Sequence, residues 1–150
     1  MKFLFEKISK SFDVSAPATQ TAIDLMEKHF NVKFPSDYKD FLLFSNGFEG
    51  YTKNGYIVIW GAEEMVQLNE DYHVKEFVSN IVIFGSDGAE DAFAFDTLEN
   101  KFTIVRLPFI GMGHISNENM CGTFEEFLVS KADLKGGLLK RFFGLKKSGG

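Results

Sequence analysis

Residues 80–96, NIVIFGSDGAEDAFAFD, constrain the fold more than any other stretch of the chain. Ile81, Val82, Ile83 and Phe84 form a short apolar run rich in β-branched residues, and Gly85-Ser86-Asp87-Gly88 closes it with turn chemistry. Such a run reads as a strand buried on both faces. Ala92-Phe93-Ala94-Phe95 then alternates small and large, which places Phe93 and Phe95 on one face of a second strand. The two strands form a β-hairpin at the centre of a sheet.

The segments around this hairpin carry helix and strand signals in turn. Phe3, Leu4, Phe5, Ile8 and Phe12 mark an amphipathic helix over residues 1–14, docked on the body by its apolar side. Pro17 favours a second helix start with Ser15 as its cap. Ala22, Leu25, Met26, His29 and Phe30 recur at helical spacing up to about Asn31. In a third helix, Ser36 is the expected N-cap, and Tyr38, Phe41, Leu42 and Ser45 share a face. Asn46-Gly47 is its left-handed stop. Residues 47–55 read as loop and Tyr56 to Trp60 as a strand broken by Gly61. A helix follows from Ala62, with Met65, Leu68 and Tyr72 at helical spacing and Glu63 and Glu64 where the helix dipole favours them. Phe102 to Leu107 alternates as a strand ended by Pro108, residues 110–114 read as loop, and Thr123 caps a closing helix to about Lys131. The order argues for an α+β fold, with a twisted, largely antiparallel sheet and helices packed against it. Residues 1–135 form one domain and residues 136–150 a tail.

Composition narrows the function classes. The 150 residues suit one domain with a sizeable core, to which 18 phenylalanines contribute heavily. The single cysteine, Cys121, excludes an intrachain disulfide and fits a reducing compartment. Neither a secretory signal nor a run of transmembrane length is visible, so a cytoplasmic location is expected. The net charge of −5 hides an asymmetry: residues 131–150 hold six basic side chains and one acidic, net +5, leaving residues 1–130 at −10. An acidic body repels nucleic acid and attracts cationic partners.

No reactive constellation stands out. Counted from Asp87, the acids at 87, 90, 91 and 96 fail the calcium-loop spacing, because Ala89 and Leu98 fall where ligands belong. His29, His73 and His114 are scattered, without the paired spacing of a zinc site, and His29 reads as a core or boundary residue. Cys121 with His114 is a weak nucleophile–base candidate, and a lone cysteine is far more often a small buried hydrophobe. The glycines at 85, 88, 111 and 113 match turns better than phosphate loops. No catalytic residue, cofactor or metal is therefore assigned. Residues 136–150, GGLLKRFFGLKKSGG, are basic and amphipathic; they suit a membrane surface or partner groove, or docking on the acidic body, which is the favoured reading.

Three blocks in order resemble the SUKH superfamily, specifically its Smi/Knr family. Phe34-Pro35-Ser36-Asp37-Tyr38-Lys39-Asp40-Phe41-Leu42 through Asn46-Gly47 is similar to its L-P-x-x-Y-x-x-F-L…N-G, with Phe34 in place of leucine. Phe84-Gly85-Ser86-Asp87-Gly88 followed by Phe93-Ala94-Phe95-Asp96 is similar to its hairpin, and Phe124-Glu125-Glu126-Phe127-Leu128 to its closing helix. The resemblance covers roughly residues 15–131. It implies an α+β fold without catalysis, used by bacterial members as immunity proteins against polymorphic toxins, often nucleases, and by eukaryotic relatives as interaction modules. It transfers no contact residues. On the acidic body, the expected contacts with a cationic toxin domain are Trp60, Glu63, Glu64, Asp71, Tyr72, Asp87, Glu90 and Asp91, combining aromatic anchors with acids. The alternative is a non-enzymatic interaction module or scaffold unrelated to toxins. A small-molecule-binding or enzymatic domain is the third reading, without a constellation to support it.

Overall fold

The computed structural model describes residues 2–53, 55–113 and 118–131, and in it the central hairpin is the middle of an open, seven-stranded antiparallel sheet. Helix α1 (Lys2–Ser11) and a two-residue strand β1 (Asp13–Val14) lead into α2 (Gln20–Phe30) and α3 (Ser36–Phe44). Then come β2 (Phe48–Thr52), β3 (Gly55–Ile59), α4 (Ala62–Asp71) and a single turn, α5 (Val74–Phe77). The hairpin is β4 (Ile81–Ser86) and β5 (Asp91–Asp96), followed by β6 (Thr103–Pro108), β7 (Glu118–Cys121) and α6 (Phe124–Lys131). The strands stand in chain order, each antiparallel to the next. This is an α+β fold with helices packed on the sheet. The expected boundary at residue 135 and the tail fall outside the described residues.

Every residue of β4 is buried, as an apolar run closed by a turn requires. Phe93 and Phe95 share a face, and with Phe84 they meet α3 and α6. Tyr38 lies 4.9 Å from Phe95 and 5.0 Å from Phe124 by ring centroids, and Phe127 lies 5.0 Å from Phe93 and 5.2 Å from Phe84. Burying rings of this size drives the folding, at about 25 cal/mol per Å2 of apolar surface removed from water. Burial pushes the Tyr38 phenol far above its ordinary range, and its hydroxyl donates to Met65 Sδ on α4 (2.9 Å). On the opposite face of β5, Ala92 and Ala94 are also buried, so the second face is covered too.

The resembling blocks prove to be structural devices. Asn46 Oδ1 accepts from the Ala62 backbone N–H (2.8 Å), capping α4 from sixteen residues away, and Asn46 Nδ2 donates to Glu63 Oε2 (2.9 Å). Gly47, at φ +88°, lies so close to the β3–α4 connection that a Cβ would collide with the Trp60 and Gly61 backbone. At Gly85 a Cβ would strike the Val58 carbonyl of the neighbouring strand. Asp87 Oδ1 accepts from the backbone N–H groups of Ala89 (2.9 Å) and Asp91 (3.2 Å), holding the hairpin turn.

Several local readings shift. Thr19, not Ser15, caps α2, accepting from Ala22 N (3.0 Å). Pro35 precedes α3 without a side-chain cap, while the Asp37 side chain accepts from Tyr38 N and from Glu125 N on α6. The buried stripe of α2 is Ile23, Met26 and Glu27, and Leu25 points outward at 60% exposure. Residues 48–52, read as loop, pair with β3 as β2, and β7 was not expected at all. His29 sits at the α2–α4 boundary, 3.5 Å from Glu70. His114 and its loop end lie outside the described residues.

Candidate functional site: an aromatic and acidic surface on α4

The heptad-like wheel of α4 sorts its side chains into three stripes. Ala62, Met65 and Asn69 are buried. Glu63, Val66 and Glu70 turn toward α2: Glu63 and Val66 line the groove between the helices, and Glu70 meets His29. Glu64, Leu68 and Asp71 lie on the third side, leading to Tyr72 at the helix end. Tyr72 meets the β6–β7 connection in a tilted contact with Phe109, centroids 4.8 Å apart. Trp60, just before α4, lies 6.5 Å from the same ring. Trp60 is nearly buried and Tyr72 is 41% exposed, so the row runs from the core to the surface.

The row continues into apolar groups that water reaches. Ile110 is 91% exposed and Phe77 56%, and Gly113 lies against Phe77 closely enough that a Cβ on it would be 3.5 Å from Phe77 Cβ. Phe109 N donates to Glu90 O (3.0 Å), which ties the hairpin turn to the row. Tyr72 and Phe109 thus form an aromatic pair, followed in the chain by exposed Ile110, while exposed Phe77 lies against Gly113 of the same loop. The α4 helix carries four acidic side chains and no basic one. Among the described residues, the carboxylates of Glu64 and Glu90 make no hydrogen bond or ion pair, and Asp71 accepts only from Gln67 (2.8 Å). An uncommitted carboxylate beside an exposed aromatic is free to meet a cation without first breaking an internal pair.

Of the eight residues named from the sequence, Trp60 and Tyr72 meet at Phe109, Glu90 is tied to Phe109 through its backbone carbonyl, and Glu64 and Asp71 are exposed on α4. Glu63 faces the other way and is held by Asn46. Asp87 and Asp91 are engaged on Arg106, which donates from Nε to Asp91 Oδ2 (2.7 Å) and from Nη2 to Asp87 Oδ2 (3.2 Å). Phe109, Ile110 and Phe77 were missed. Pro108-Phe109-Ile110 was read only as the end of a strand and a loop, although two large apolar residues inside a Gly-rich loop are a signal of contact.

Hollows lie elsewhere, among them one of about 850 Å3 between the end of α2 and residues 100–102. Another, of about 460 Å3, opens between α2, α4 and α5 and is lined by His29, His73, Val74, Ile81 and Val82 among others. A third, of about 470 Å3, lies where α6 ends and includes Lys53, Tyr56, Arg106 and Lys131. Among the described residues no three His, Cys, Asp or Glu side chains converge as a metal site. Cys121 is half-buried in β7, and burial, aided by the Glu126 charge, pushes its thiol upward, away from the thiolate a nucleophile needs.

The described residues form an open antiparallel meander with helices packed over an aromatic core. The SMI1 / KNR4 family (SUKH-1) matches residues 17–130, and the chain belongs to that family, whose members are commonly toxin-immunity proteins. The chain is also similar to a Bacillus subtilis (strain 168) protein, the uncharacterized protein YnaB, at 32% identity over 91 residues. That match takes in 61% of this chain and 58% of YnaB, so it spans little more than half of the relative's length. No helix among the described residues is long and apolar enough to cross a membrane.

Proposed function

We propose that the protein is an immunity protein that binds and neutralises a cognate toxin domain with a cationic face, and that it does so without chemistry of its own. Family membership supports the mode of action. The observation that carries the placement is the row Trp60–Phe109–Tyr72 beside the uncommitted carboxylates of Glu64 and Glu90. Aromatic side chains supply large contact area at low entropy cost, and acids around them raise the association rate with a basic target and fix its orientation. The contact set is Trp60, Glu64, Asp71, Tyr72 and Glu90, with Phe77, Phe109 and Ile110 added. Asp87 and Asp91 contribute by holding the turn that carries Glu90. Glu63 remains at the edge of this set through its place in the α4 acidic run. A nuclease is the target class that fits an acidic face best, since its own substrate selects for a basic one.

The test is co-expression with toxin domains encoded beside this gene in the source cell. Wild-type protein restores growth against one of them. Tyr72→Ala, or Glu64→Lys with Asp71→Lys, removes protection and weakens binding at least tenfold while the protein stays folded. Protection retained by both variants overturns the placement; protection against none of the toxins overturns the function.

A further inference from the structure

We infer that the hollow of about 460 Å3 between α2, α4 and α5 is a binding site for a small amphipathic cation, an ammonium group carried on an apolar stem. The hollow shares no residue with the contact set proposed for a toxin, and its occupancy is independent of that reading. Floor, rim and field point to the same ligand.

The floor is apolar. Val74, Ile81 and Val82 line it and are buried, and half-buried Phe30 and Val32 line the α2 side. Small-molecule sites run from roughly 300 to 1,000 Å3, and such a lining gains when an apolar stem displaces water from it. Asn69 also lines the hollow, but its amide is fully engaged with Met65 and Ile83. Polar recognition is therefore left to the rim.

The rim holds two exposed carboxylates, Glu70 on α4 and Glu76 on α5. His29 Nε2 lies 3.5 Å from Glu70 Oε1, and His73 Nδ1 lies 3.8 Å from Glu76 Oε1. Among the described residues these imidazoles are the two carboxylates' only side-chain partners. A neutral imidazole leaves a carboxylate its charge, so a ligand ammonium can come in to a charge-assisted hydrogen bond of about 2.8 Å. Lys75 is the single lysine or arginine among the lining residues, and with neutral histidines the lining carries −1. The body adds to that sign, at −10 over residues 1–130. This balance selects a cation over an anion. The apolar floor selects a cation with a stem, and among the described residues no three ligating side chains converge to hold a metal ion instead.

Amide NMR titration of the full chain tests this at pH 8, above the ordinary histidine range, in about 50 mM NaCl. Three probes with one stem are compared: hexylamine, which is a cation at that pH, neutral hexanol and anionic hexanoate. Hexylammonium is expected to saturate with a dissociation constant of about 0.1–1 mM, its shifts concentrated at residues 29–32, 73–82 and 97. Hexanol is expected to bind about fivefold more weakly, and hexanoate about tenfold or more. Glu70→Gln with Glu76→Gln is expected to lower hexylammonium affinity about fivefold, to the level of hexanol, and to leave hexanol unchanged. Glu6→Gln with Asp40→Asn removes the same charge from exposed positions elsewhere and is expected to change hexylammonium affinity less than about twofold. No saturation below about 10 mM, equal affinity for the three probes, shifts centred on another surface, or equal losses in the two double variants would each overturn the assignment. No toxin and no proposed toxin contact enters the measurement, so failure here leaves the immunity reading untouched, and loss of toxin protection leaves this site untouched.

Discussion

Asn69 lies inside the protein with its whole side-chain amide engaged. Its Nδ2 donates to Ile83 O (2.8 Å) and Met65 O (2.7 Å), and its Oδ1 accepts from Ile83 N (2.9 Å). The amide thus stands in for a strand residue where β3 leaves the β4 edge after only two paired positions. Asn69→Leu strands both Ile83 groups without partners and should cost about 2–4 kcal/mol, read as a fall in urea midpoint at constant slope. A change below 0.5 kcal/mol would mean the Ile83 groups find other partners. Glu27 makes a comparable point. It is buried, accepts from Phe34 N (2.7 Å) and stands 3.4 Å from Lys39 Nζ and 3.8 Å from Lys33 Nζ. A glutamate on a helix reads from sequence as solvent-facing, and only the meeting of α2 with the start of α3 reveals otherwise. Cys121 supplies a pH prediction. Its thiol is raised above its ordinary value of 9.0 by burial, so the neutral form is favoured in the folded state and the thiolate grows only as pH climbs past that value. Alkylation by iodoacetamide should therefore be slow at pH 7 and still rising above pH 9; a rate midpoint below pH 8 would contradict it.

Among the elements, α4 does the most varied work, with one stripe in the core, one against α2 and one leading to Tyr72. Its first turn depends on a cap from another element, the Asn46 side chain at Ala62 N, since Gly61 has none to offer. Asn46→Ala should destabilise the protein by about 1–2 kcal/mol, measured by thermal or urea unfolding. Exposed Glu64→Lys with Asp71→Lys should leave stability within about 1 kcal/mol while weakening cationic partners, which separates the helix's structural stripe from its proposed contact stripe. The helix itself was legible because Met65, Leu68 and Tyr72 recur at helical spacing and Glu63 and Glu64 sit in its first turn. The direction of each stripe was not, because spacing fixes relative angles and leaves the orientation on the sheet open. β2 and β7 escaped for a related reason. Their strand character is fixed by pairing with β3 and β6: FEGYT holds Phe, Tyr and Thr but sits among Gly47, Gly50, Asn54 and Gly55, which read as loop, and ENMC carries little strand signal alone.

At the scale of the molecule, a body of net charge −10 over residues 1–130 and a segment of net charge +5 over 131–150 share one chain. If the acidic surface steers a cationic partner, its association rate should fall steeply between 50 and 500 mM NaCl while the dissociation rate changes little, as stopped-flow or surface-based kinetics would show; a salt-independent rate would argue against steering. The sequence alone determined the hairpin, α3, α6 and the three resembling blocks, because each rests on local spacing, a turn or a buried apolar run that no distant residue needs to complete. Tertiary structure decided which acids are spent. Asp87 and Asp91 look in the sequence like members of one exposed cluster with Glu90, yet Arg106, fifteen residues or more along the chain, takes the first two. Phe109, which seemed only to follow a strand, became the centre of the aromatic row. Partners of side chains are set by strand register and helix placement, and these are properties of the folded whole.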